Sequence, residues 1–92
     1  METYILITSL PYEGIWIKGV VQTLDEASEY FSKNINRNTE LVQRALDDNW
    51  EDDYFSYWAE NWRGTQRICT YKYNIQTQTL IKQPKRFGDA DD

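Results

Sequence analysis

This chain offers neither a cysteine pair nor a histidine from which a disulfide or zinc staple could be built. It contains no His and a single Cys, Cys69, which removes any disulfide within the chain and the usual zinc ligand sets. Its 92 residues must therefore be held by an apolar core alone, in a size range where a domain buries only about 60% of its unfolded surface. Large rings are an efficient way to build such a core, and the chain supplies four Trp, seven Tyr and three Phe. One compact domain is expected over residues 1–84, because chains divide only well beyond this length. Residues 85–92 carry one aromatic, no periodicity and a polar finish, and are expected to form a flexible charged tail.

The same inventory excludes chemistry. Without His there is no Cys-His or Ser-His pair, and the remaining carboxylates, tyrosines and thiol form no constellation of nucleophile and base. The four glycines, at 14, 19, 64 and 88, lie too far apart for a phosphate loop. No catalytic residue, metal ligand or cofactor is assigned, and the chain reads as a non-enzyme. The apolar run at 4–7 is too short for a signal peptide or a membrane span. An unpaired thiol fits a reducing compartment, so a cytoplasmic protein without membrane contact is expected.

Local patterns predict the elements. Residues 3–9 and 15–21 are rich in β-branched and aromatic side chains and flank Leu-Pro-Tyr-Glu-Gly, which reads as a hairpin. Thr23 and Glu26 form a capping box, starting a helix of about three turns with Leu24, Ala27, Tyr30 and Phe31 on one face and a stop within 34–38. Asn38 or Thr39 can cap a second helix over 40–46. A third is expected over 50–62, where Trp50, Tyr54, Phe55, Tyr57, Trp58 and Trp62 fall within an arc of about 160°. A break at 47–49 separates the two, because one unbroken helix would put Leu41, Val42 and Ala45 nearly opposite that arc. Gly64 is the expected helix stop. Residues 67–74 then alternate as a strand, with Cys69, Tyr71 and Tyr73 on one face and Ile68, Thr70 and Lys72 on the other, and 79–83 return as a second hairpin. The predicted fold class is α+β, a four-stranded antiparallel sheet in the order β-β-α-α-α-β-β with the helices on one face. Trp16, Phe31, Phe55 and Trp58 are assigned to the core, and Cys69 is expected to be buried.

Charge is what remains to suggest function. Fifteen acids against ten bases give a net charge of -5, so global attraction to phosphate is not expected. The charges are segregated: 47–60 holds Asp47, Asp48, Glu51, Asp52, Asp53 and Glu60 without a base, whereas 61–88 holds Arg63, Arg67, Lys72, Lys82, Lys85 and Arg86 without an acid. On the predicted third helix Asp48, Asp52, Asp53 and Glu60 oppose the aromatic stripe, with Tyr54 and Trp62 at its margins. These six residues form the expected partner-binding face, since carboxylates in a row can occupy a groove built for phosphates.

In composition, and over residues 47–62, the chain resembles the small inhibitor proteins that bacteriophages direct against host nucleases, including anti-CRISPR and anti-restriction DNA mimics. That resemblance implies a protein partner that is part of a nucleic-acid-handling complex, and it carries over no individual residue. The alternative is an accessory or regulatory subunit docking by an apolar face. Direct binding of single-stranded nucleic acid by the basic last hairpin is the weakest reading, because Lys72 should point away from Tyr71 and Tyr73.

Overall fold

The computed structural model describes residues 2–10, 14–35 and 56–90. They form a five-stranded antiparallel sheet with one helix. The strands are β1 (Glu2–Leu10), β2 (Gly14–Val21), β3 (Ser56–Arg63), β4 (Gln66–Asn74) and β5 (Thr79–Lys82), and the helix α1 (Leu24–Asn34) follows β2. The sheet order is β2-β1-β3-β4-β5. Both predicted hairpins are present, β1 with β2 and β4 with β5.

The centre of the sheet follows from the run Tyr-Ile-Leu-Ile at 4–7. A strand apolar at successive positions must be covered on both faces, and Leu6 and Ile7 are indeed both buried. On the α1 side, Leu6 pairs with Ala59 of β3, and Ala59 in turn pairs with Tyr71 of β4. Leu6, Ala27, Phe31, Ala59 and Tyr73 make the core, with Tyr4, Val21, Tyr57, Tyr71 and Leu80 packed around it. Phe31 is its hub. Its ring meets Tyr30 edge-on at 5.8 Å and Tyr57 at 6.1 Å, and lies 5.2 Å from Tyr73.

Helix α1 starts where the capping box places it. Thr23 is extended, and its hydroxyl accepts the Glu26 amide proton at 3.1 Å. That hydroxyl also donates to the Glu26 carboxylate at 3.1 Å, so the Glu26 side chain returns to the Thr23 hydroxyl where a standard box has it meet the backbone amide. Ala27 and Phe31 are the buried members of its apolar face. Thr23→Ala is expected to cost about 0.5–2 kcal/mol, read as a lowered denaturant midpoint at unchanged slope.

The third helix does not form over 56–62. Those residues are β3, so the fold is mostly β, with five strands and one helix among the described residues, and the expected four-stranded sheet carrying three helices is corrected. The physical reason is period. Tyr57, Ala59 and Asn61 face α1 while Trp58, Glu60 and Trp62 face away, and Trp and Tyr suit a pleated surface on either side. The arc that looks helical is thus two sheet faces, both carrying rings. Gly64, expected as a helix stop, is the first position of the two-residue β3–β4 turn with φ 61°, a conformation that glycine adopts without strain. The predicted second helix over 40–46, the break at 47–49 and residues 50–55 lie outside the described residues.

Cys69 is buried and shares the α1 face with Tyr71 and Tyr73, as its alternation predicts. Burial, reinforced by the neighbouring Cys69, pushes the Tyr71 hydroxyl up to about 12. Trp16 is a correction: assigned to the core, it stands 39% exposed on the edge strand β2. Trp58 is half-buried on the face turned away from α1, outside the cluster that Phe31 organises.

Candidate functional site

The face of the sheet opposite α1 carries the features that the core does not absorb. Among the described residues no helix packs on it. Two β-bulges decide what it displays. In β2 the register slips between Leu6 and Ile7, so that Leu6 pairs with Gly19 but Ile7 with Ile17, and Lys18 is the extra residue. Strict alternation would put Val20 on the opposite face from Ile15 and Ile17. The bulge brings all three to one side, in register with Ile5, Ile7 and Ser9. Ile15 is 66%, Ile17 68% and Val20 60% exposed.

The second bulge lies in β4, where Asn61 pairs with Cys69 but Trp62 with Arg67. By parity Arg67 belongs with Cys69 on the α1 side; the slip turns it to the other. There it meets Glu60, whose carboxylate sits between two indoles. Trp62 Nε1 donates to Glu60 Oε1 at 3.1 Å and Trp58 Nε1 to Oε2 at 3.4 Å, while the Arg67 guanidinium stands 3.8 Å from Oε2. Glu60 is thereby a mostly buried carboxylate, paired with Arg67, that locks two rings in place, and Trp62 is one of those rings. Of the six expected partner-binding residues, the structure brings these two together on β3. Asp48, Asp52, Asp53 and Tyr54 lie outside the described residues.

Arg67 also anchors the end of the chain. Its Nε donates to Asp89 Oδ1 at 2.6 Å and its Nη2 to the Phe87 carbonyl at 3.0 Å. Gln66 Nε2 donates to the Gly88 carbonyl at 2.9 Å, and the Ala90 amide to the Arg67 carbonyl at 2.8 Å. Residues 85–90, assigned from sequence to the tail, are therefore placed along β4, and the Asp89 side chain is 1% exposed. The Arg86 amide, then the Arg67 guanidinium, hold the Asp89 carboxyl below the usual carboxylate range. A depressed folded value contributes stability that is present above the ordinary aspartate value of about 3.9 and is lost as pH falls through the folded one. The wild type should accordingly lose stability below about pH 4 more steeply than Asp89→Asn, which has no charge to lose there. Paired denaturant midpoints down the acid range measure this.

Beside the Arg67 anchor, Trp58, Thr70, Lys72, Gln83, Pro84, Lys85 and Arg86 line a pocket of about 560 Å³. Trp58 and Lys72 are cross-strand partners. A basic side chain and a ring thus share this face, an arrangement invisible from β4 alone because the ring comes from β3. Among the described residues no three metal-ligating side chains cluster, and no helix is long and apolar enough to cross a membrane.

Sequence reasoning did not identify the aliphatic row Ile15, Ile17 and Val20, nor the Arg67–Asp89 anchor. Both depend on bulges or on long-range contacts that alternation cannot express. Comparison with protein-family models, with curated proteins and with solved structures found no match.

Proposed function

We propose that this chain is a non-catalytic protein-binding module that docks through the β2 end of the sheet face opposite α1. One observation carries the reading: Ile15, Ile17 and Val20, three aliphatic side chains on one strand, are each at least 60% exposed on the same face. Single exposed hydrophobic residues are ordinary, whereas a contiguous apolar patch on a small domain marks a contact surface. Each Ile or Val gains about 1.5–3 kcal/mol when fully covered. Of the two protein-binding readings, apolar docking is the better supported, because the described part of the acidic one, Glu60, is committed to Trp58, Trp62 and Arg67.

Capture from the source cell at two salt concentrations tests the choice. Raising salt from about 0.1 M to about 1 M shortens the screening length from about 10 Å to about 3 Å. An apolar contact persists through that change, and a carboxylate face on a basic groove releases its partner. Retention at high salt is expected; release would return the function to the acidic block.

One observation favours a second reading. Trp58 with Lys72, Lys85 and Arg86 around a pocket is a surface on which a base can stack and a phosphate can be held. Quenching of tryptophan fluorescence by a short single-stranded oligonucleotide, abolished in Trp58→Phe, would support it.

A further inference from the structure

We infer that the occupant of the β2 edge is a second copy of this chain, paired strand to strand as a two-fold dimer. This rests on the docking reading above and names its partner. The two edges of the sheet are unlike. β5 has four residues, carries Lys82 and is followed within two residues by Pro84, and the Gln83 amide donates to the Thr70 carbonyl as the chain leaves it. Short length, a charge and a proline are the means by which proteins protect an edge from further pairing. β2 has eight residues, no proline and one charge, Lys18, at the bulge. Upstream of that bulge, 14–17 is a regular run, and among the described residues no strand pairs with its outer edge.

The side chains on this run are apolar on both faces. Ile15 and Ile17 face away from α1, and Trp16, in register with Thr8, faces the α1 side. With Val20, these account for four of the six large hydrophobics that stand exposed among the described residues. A partner that covers both faces of an edge is an added strand. A second β2 meets every requirement. Antiparallel pairing of a strand with itself is two-fold by construction, and a register centred on Trp16 sets Ile15 of each copy against Ile17 of the other, with the two Trp16 rings adjacent. Cross-strand pairs of this kind are what stabilise a sheet. β2 carries none of the chain's acidic residues, so pairing it with itself sets no carboxylate of one strand against a carboxylate of the other. Because the β5 edge is protected, the assembly closes at two and does not propagate.

The test uses the full-length chain alone. Its mass by sedimentation or light scattering is followed from about 1 μM to about 1 mM, the range of weak association. The expected result is a shift from one chain to two, with Trp16→Lys raising the dissociation constant at least about tenfold while its circular dichroism matches the wild type. Trp16→Cys should give a disulfide-linked dimer on mild oxidation, since opposed strand positions lie within disulfide reach. A wild type monomeric throughout, or one growing into species larger than two, overturns the inference. If it is monomeric and Ile17→Asp still abolishes capture of a cellular partner, the docking reading stands without the dimer. If it is monomeric and Ile17→Asp changes nothing, both fail.

Discussion

Phe31→Ala should remove about 3–5 kcal/mol of folding free energy, the largest loss expected from any single truncation among the described residues. Phe31 is 1% exposed and is the largest fully buried side chain among the described residues. It is also where the helix meets the sheet: its ring reaches Tyr57 on β3 and Tyr73 on β4 as well as Tyr30 on its own helix. Truncation forfeits the transfer free energy of the ring and leaves a cavity between layers that cannot collapse, since α1 is capped at one end by Thr23 and bounded below by Leu6 and Ala59. A chain of this size has about 5–14 kcal/mol in all, so the variant should unfold many degrees below the wild type or fail to fold at 37 °C. The matched control is Phe87→Ala. Phe87 is fully exposed, so its loss should leave the midpoint within about 0.5 kcal/mol.

The contrast between those two phenylalanines marks what the sequence makes legible. Phe31 is readable as core because Leu24, Ala27, Tyr30 and Phe31 repeat at helical spacing behind a capping box, and both signals lie within a few residues of each other. The two hairpins are readable for the same reason: strand composition and turn residues are local. β3 is not readable by those means. Tyr57 and Trp58 are rings on opposite faces of a strand, and a count of aromatic positions by angle cannot separate that from one broad helical face. The alternation of Tyr57, Ala59 and Asn61 against Trp58, Glu60 and Trp62 is present in the sequence. So is the demand of β1, apolar at successive positions, for cover on both faces. Weighing those two facts together favours the strand.

The site was legible only in fragments. Glu60 and Trp62 stand out as a charge and a ring, but the interaction that joins them, with Trp58 and Arg67, depends on a bulge near the end of β4 and on a residue that parity assigns to the other face. The aliphatic row on β2 depends likewise on the bulge at Lys18. Register slips have no sequence signature as strong as a cap or a turn glycine. A one-residue slip nevertheless reverses the face of every side chain beyond it, so the surface a strand displays is the least predictable property of an otherwise recognisable strand.

The second large effect expected is on binding. Ile15→Asp combined with Ile17→Asp should weaken the captured partner by at least about 100-fold, or about 2.7 kcal/mol, while leaving the fold intact. Both side chains are more than 60% exposed, so neither replacement opens a cavity, and the cost to the strand itself should stay within the span of about 1 kcal/mol that strand propensities cover. At an interface the same two changes forfeit aliphatic burial worth about 1.5–3 kcal/mol per residue and add two carboxylates that must be desolvated without a partner. The acidic block supplies the complementary variant. Asp52→Lys with Asp53→Lys reverses the charge that the alternative reading needs and leaves β2 untouched. Titrating the captured partner against both double variants and the wild type is the measurement that decides where the interface lies. The account predicts that the β2 variant loses binding and the Asp52/Asp53 variant retains it within about threefold, less than 1 kcal/mol. Binding retained by Ile15→Asp/Ile17→Asp and lost by Asp52→Lys/Asp53→Lys would contradict it.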